Sequence, residues 1–324
     1  MSRRTFLTAM ALAIIGATGR AQAQKPAAIP TVGVLVTHAP LSDPVWVALR
    51  EGFRNLGYEE GRNLNLIIST AEGQLGRLPG LAADLVSRNA DVIIAPNELA
   101  VRTALKATST VAIVMIGWGY DPVALGLVSS FNKPGGNITG LYWLPSELEG
   151  KRLEMLKEVL PKTSRVAVFW DAFGKHSLPA LQGAAKTLDM RLISIEVPAI
   201  EDLSAAIKEA KRNKADAGIF VWAPNFYVHR TRVAQLTTEA KLPAIHAIMQ
   251  VVEVGGFLSY GPDGMDSFRR VAYYADRILK GVKPAELPIE QVSELKLAVN
   301  LRTARAMDIV IPESILARAD KVIR

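Results

Sequence analysis

The sequence predicts an α/β protein of two doubly wound lobes, each a parallel sheet with helices on both faces. Three observations carry that prediction. Short, continuous, β-branched runs alternate with amphipathic helical patterns along most of the 324 residues, the rhythm of βαβ units. The rhythm breaks at Asn132-Lys133-Pro134-Gly135-Gly136-Asn137, a strong turn cluster, and then restarts. A hydrophobic content of 49% over this length can fill two cores.

The elements follow in order. Thr31 to Val36 reads as a buried strand, being unbroken and β-branched. A helix over 45–56 places Trp46, Leu49, Phe53 and Leu56 on one face, and Gly57 closes it. Strand 63–70, helix 79–88, strand 91–95, helix 98–107 and strand 111–116 continue the alternation. After the break, 138–141 is a short extended piece, and helix 146–160 opens with Ser146 and Glu149 in capping-box spacing. Strands are then predicted at 165–169, 191–196, 217–221 and 244–246, with helices 177–188, 201–212 and 227–240 between them. Leu258-Ser259-Tyr260 precedes a helix over 266–280 that Gly281 ends.

The first residues predict export. Arg3 and Arg4 precede an apolar stretch from Phe6 to Ala17, and Ala21-Gln22-Ala23 offers the small-x-small pattern of a cleavage site. That stretch is shorter than the roughly 20 residues of a membrane span, so residues 1–23 read as a cleaved signal peptide. The run Ser2-Arg3-Arg4-Thr5-Phe6-Leu7 resembles a twin-arginine signal. Cysteine is absent, which excludes disulfides, thiolate metal sites, a cysteine nucleophile and a lipidated cysteine anchor. Removing Arg3, Arg4 and Arg20 lowers the net charge from +7 to +4. The remaining basic residues lie scattered among carboxylates, so no nucleic-acid footprint is visible.

Ligands of doubly wound sheets sit beyond the carboxyl ends of the strands. In the first lobe those ends carry His38-Ala39-Pro40, Pro96-Asn97-Glu98 and Trp118-Gly119-Tyr120-Asp121. In the second they carry Trp170-Asp171-Ala172-Phe173, Trp222 to Tyr227 with Asn225 and Phe226, His246-Ala247 and Tyr260-Gly261. Three of the five tryptophans stand at such ends. Rings with a few polar groups are what a small-molecule pocket needs. His38 and His246 are pocket donors or satisfied loop histidines; His176 and His229 read as surface residues. Glu98 and Asp121 either meet an ammonium group or cap the helix or turn that follows. Asn225 has the same two readings.

No G-x-G-x-x-G follows the first strand, and Walker, H-E-x-x-H and G-x-S-x-G motifs are missing. The four histidines have no metal-ligand spacing. A binding protein is therefore favoured over an enzyme, with no cofactor expected.

Several segments together resemble a known family. They include Glu51-Gly52-Phe53 to Leu56-Gly57-Tyr58, Asp121-Pro122-Val123 to Gly126-Leu127-Val128, and Pro134 to Leu141. Leu258-Ser259-Tyr260-Gly261-Pro262-Asp263, Arg277 to Gly281 and Asn300-Leu301-Arg302-Thr303-Ala304 to Ile311-Pro312 extend the set. It is similar to the ABC-transporter substrate-binding protein family that includes tryptophan- and tyrosine-binding receptors. The resemblance implies a type I periplasmic-binding-protein fold with three crossings between lobes. The N-terminal lobe would be 31–142 plus 260–282, and the C-terminal lobe 143–259 plus 283–324, regaining a strand at 294–299 and a helix after Pro312. It also implies a monomer in the periplasm that delivers a small solute to an ABC permease in the inner membrane. A sensory receptor of the same fold and a periplasmic enzyme are the competing readings. Many members carry small residues after the third strand, where Asn97-Glu98 stand here. That departure points from an ordinary amino-acid carboxylate site toward an aromatic solute held between rings, with Glu98 or Asp121 available to an amine.

Overall fold

The computed structural model describes residues 28–143 and 145–324. The expected leader lies outside the described residues, as does the Ser146 side chain of the expected capping box. In the first lobe β1 (Thr31–Val36), β2 (Asn65–Thr70), β3 (Val92–Ala95), β4 (Ala112–Trp118) and β5 (Ile138–Trp143) alternate at first with α1 (Val45–Asn55), α2 (Leu78–Ser87) and α3 (Glu98–Ala107). Every residue of β1, β3, β4 and β5 is buried, as apolar strands covered on both faces must be. Gly140 in β5 is dictated by space and by dihedral angle. Its φ is +135°, and a Cβ there would lie 2.2 Å from the Met115 carbonyl oxygen.

The second lobe begins with α4 (Pro145–Val159) and continues through β6 (Arg165–Trp170), α5 (Leu178–Thr187), β7 (Arg191–Glu196), α6 (Leu203–Arg212) and β8 (Ala217–Phe220). The helix expected over 227–240 is two pieces, α7 (Pro224–Val228) and α8 (Arg230–Glu239). Then come β9 (Ala244–His246), α9 (Met249–Glu253) and β10 (Leu258–Pro262). The short α9 had no counterpart in the sequence reading.

The rest of the chain runs through α10 (Gly264–Leu279), β11 (Glu290–Gln291), β12 (Leu295–Asn300), α11 (Leu301–Ala306), α12 (Glu313–Leu316) and β13 (Lys321–Ile323). The first sheet has the order β2-β1-β3-β4-β5-β11, all parallel. The second has the order β7-β6-β8-β9-β10-β12-β13, parallel except between β10 and β12. The chain therefore passes between the two sheets three times: after β5, after β10 and after β11.

Two expected boundaries move. β10 pairs with β12 as far as Pro262, so the second crossing follows Pro262 rather than preceding Tyr260. β11 pairs with β5, and Ile289 is buried in the first lobe's core. The third crossing thus falls after Gln291 and not at 282. Between these crossings α10 lies along α1, where Trp46 meets Phe268 edge-on at 5.5 Å. Gly52 permits that approach: a Cβ on it would sit 2.5 Å from the Arg269 carbonyl oxygen.

Candidate functional site

The carboxyl ends of both sheets face each other across one cleft. Counting the open space at its mouth, it spans about 550 Å³. The first lobe supplies Val36, Thr37 and Ala39 after β1, Val45 and Trp46 from α1, Pro96 and Asn97 after β3, Trp118 from β4, and Gly264 and Phe268 from α10. The second supplies Trp222, Pro224, Tyr227 and Val228 after β8, with Ile248 and Gln250 after β9. A shallower hollow adjoins it behind the tryptophans, bordered by Glu98, Arg102, Tyr120 and Phe173.

Direct contacts hold the lobes together around the cleft. Trp118 and Trp222 stack with ring centroids 5.3 Å apart and planes 13° apart. The Tyr227 hydroxyl donates to Asp43 Oδ1 at 2.6 Å, and Arg230 Nη1 lies 3.6 Å from Asp43 Oδ2. Glu98 is 2.7 Å from Arg102 Nε on its own helix and 3.3 Å from His176 Nε2 of the opposite lobe. His38 meets Phe173 edge-on at 5.9 Å. The His38 imidazole is held below its ordinary pKa by burial and, secondarily, by His229.

The residues expected from strand ends fall into three groups. Ala39, Asn97, Trp118 and Trp222 line the cleft. Glu98, Tyr120 and Phe173 border the adjoining hollow, where burial and the nearby Glu98 raise the Tyr120 phenol. The others lie elsewhere. Pro40 accepts from Trp46 Nε1 at 2.7 Å through its carbonyl. Asp121 Oδ1 accepts from Val123 N and Ala124 N, so it caps its turn. Asp171 does likewise for Phe173 N and Gly174 N, and its carboxyl is pushed up to about 6 by burial against those bonds. Trp170 Nε1 donates to Ser194 Oγ at 2.8 Å, on the edge strand β7 side. Phe226 packs edge-on against Phe220 at 5.2 Å, and His246 stacks on the same ring at 5.0 Å. Burial pushes the His246 imidazole down to about 3. Asn225 is buried with its Nδ2 unpartnered. Tyr260 gives its backbone carbonyl to Arg152 Nε at 2.7 Å.

A flat guest with a ring on each side needs roughly 7 Å between those rings, two contacts of about 3.5 Å. At 5.3 Å Trp118 and Trp222 contact each other and leave no such gap between them in this arrangement. The sequence reading missed Thr37, Trp46, Gln250, Gly264 and Phe268. Trp46 was assigned to the core alone, and Gln250 stands on α9. One further charged pair lies beneath the cleft: Arg152 Nη1 is 2.7 Å from Glu149 Oε1, with side chains 0% and 1% exposed. Both Arg152 Nη atoms and Glu149 Oε2 lack aligned hydrogen-bond partners. Among the described residues no group of three or more His, Asp or Glu is placed to hold a metal. Among them, too, no helix is long and apolar enough to cross a membrane.

Two α/β lobes, three crossings and one shared apolar cleft define a bilobal solute receptor of the type I periplasmic-binding-protein fold. The family described as ABC transporter substrate binding protein matches residues 31–323, and the chain belongs to it. A tyrosine-binding protein of Clostridioides difficile is 25% identical over 282 residues, 86% of this chain and 80% of that one. A conserved domain protein from Vibrio cholerae superposes with a TM-score of 0.82 at 26% identity, over 91% of this chain and 99% of the other. An ABC domain in complex with L-Trp from Streptococcus pneumoniae superposes equally well, TM-score 0.82 over 91% and 99% of the chains, at 23% identity.

Proposed function

We propose that this chain is the solute-binding receptor of an ABC importer, and that it takes a small aromatic or amino-acid-like solute into the cleft between its lobes. On this reading residues 1–23 direct export and are removed, the receptor works as a monomer in the periplasm, and an inner-membrane permease reads the closed form. The observation that carries the reading is the apolar cavity built from the strand ends of both lobes. A solute there touches both lobes at once, so it stabilises their closed arrangement by its differential affinity for that state. The relatives named for tyrosine and for bound L-Trp supply the aromatic part of the proposal. No bond-breaking step is assigned to any residue.

Mass spectrometry of the natively purified mature chain, with thermal-shift screening of aromatic solutes, tests this. A bound solute raises apparent stability by mass action. Trp222→Ala should then weaken the identified solute by about tenfold or more, as loss of a buried ring at an interface does, while the far-ultraviolet circular dichroism stays unchanged. Turnover of the solute by purified protein would overturn the receptor reading.

A further inference from the structure

Arg152 is fully buried on α4 and paired at 2.7 Å with the equally buried Glu149. Taking two such charges out of water costs about as much as their attraction returns, so a buried ion pair is weak evidence of a stabilising role. Its position points to another. Arg152 Nε donates to the Tyr260 carbonyl at 2.7 Å, on β10 just ahead of the second crossing. The guanidinium carbon lies 5.6 Å from the centre of the Trp143 ring, within cation–π range, and Trp143 ends β5 at the first crossing. One side chain thus grips the polypeptide at two of its passages between lobes.

The Trp143 ring carries the contact onward. Trp143 and Trp118 are register partners at the ends of β5 and β4, and their rings meet edge-on at 5.8 Å. Trp118 also reaches the start of α10, beyond the second crossing: a Cβ on Gly264 would lie 3.4 Å from its Cη2. Its ring then stacks on Trp222 of the second lobe. Arg152, Trp143, Trp118 and Trp222 form one row from hinge to cleft. The row starts and ends in the second lobe and passes through two rings of the first. Trp118 and Trp222 line the cleft, whereas Trp143, Glu149 and Arg152 are not among its lining residues.

We infer that Arg152 is a positioning residue for solute binding: without touching the solute, it holds Trp143 and the Tyr260 carbonyl so that Trp118 meets Trp222, and thereby favours the closed lobes. This rests on the receptor reading above and adds residues outside the cleft that tune it. Double electron–electron resonance between two spin labels tests it with no solute present. The sequence has no cysteine to interfere, and Val47→Cys on α1 with Lys208→Cys on α6 places one exposed label on each lobe. Arg152→Met should shift the distances toward wider separations, lowering the closed fraction about three- to tenfold, and the calorimetric affinity for L-tryptophan should fall by the same factor. Glu149→Leu/Arg152→Met removes both charges, so it should keep or exceed the parent's urea midpoint and still show the wider distances. Trp143→Leu, with the ion pair intact, should widen them too. In a Trp222→Ala chain Arg152→Met should add little, because residues acting through one contact are not additive.

Parent-like distances in the charge-free double variant or in Trp143→Leu would overturn the inference and leave the receptor reading standing. So would a variant that loses urea stability while its distances stay put, since that marks a purely structural role. A full additional effect of Arg152→Met in the Trp222→Ala chain would break the row and overturn it as well. Where L-tryptophan does not bind the parent, the solute-free distances decide alone. A parent chain that binds no solute in the wider screen sinks the receptor reading itself, and the inference with it.

Discussion

His246 shows how a single buried group sets a pH dependence. Its ring is enclosed at the end of β9, with neither nitrogen hydrogen-bonded. The folded chain accepts a proton there only near pH 3, whereas the unfolded chain does so near 6.5. The unfolded state therefore binds more protons throughout that window, and stability falls as the pH drops from 6.5 toward 3. At pH 5 the contribution amounts to about 2 kcal/mol, at 1.36 kcal/mol per unit. Urea unfolding of His246→Leu at pH 7 and pH 5 should show a smaller loss between the two than the parent protein does. Equal losses would mean that another group carries the acid sensitivity.

Asp43, Asn97 and Glu98 show what kind of chemistry is readable from sequence. Both readings of Glu98 were open, and the decisive signal was its i,i+4 spacing to Arg102. Asp121 took the capping alternative, as short polar residues ahead of a turn commonly do; Asn97, read only as a pocket residue, lines the cleft and caps its helix as well. Asp43 was invisible, because its value lies in reaching Tyr227 and Arg230, both more than 180 positions away in the chain.

At the scale of elements, the strands were legible because they are buried on both faces, which writes an unbroken apolar run into the sequence. β11 was not, since two residues carry no period, and its place beside β5 depends on where the chain returns. The packing of α10 on α1 was likewise unreadable from periodicity, though Gly52 sat at the contact. Gly52→Ala tests that contact. The substitution gains up to about 1 kcal/mol of helix propensity, but its Cβ would press on the Arg269 backbone, and such overpacking destabilises by about 1–3 kcal/mol. The net result should be a loss of about 1 kcal/mol. Gly183→Ala in α5, where a Cβ meets nothing within 4 Å, should instead stabilise by several tenths to about 1 kcal/mol. Denaturant midpoints for the two variants should move in opposite directions; movement in the same direction would discount the α1–α10 contact.

At the scale of the whole molecule, the proposed receptor function makes closure a balance set by the contacts between the lobes. The Asp43 contacts to Tyr227 and Arg230 contribute to the closed side of that balance. Asp43→Asn keeps an oxygen for the cap on Val45 N while removing the charge that Arg230 faces. Small-angle scattering should show a larger radius of gyration for this variant without solute. Solute affinity should fall by about three- to tenfold, the fraction by which the competent state is depleted. Unchanged scattering and affinity together would exclude this contact from the closing equilibrium.

The three crossings also impose an order on synthesis. The first sheet awaits α10 and β11, which are made only after most of the second lobe. The second awaits β12 and β13, which follow β11 in the chain. Neither lobe can complete its layers before these later segments have emerged from the ribosome. The two mature nearly together, and the polypeptide stays incompletely folded, and so open to chaperones or to threading through a pore, until β12 and β13 are translated.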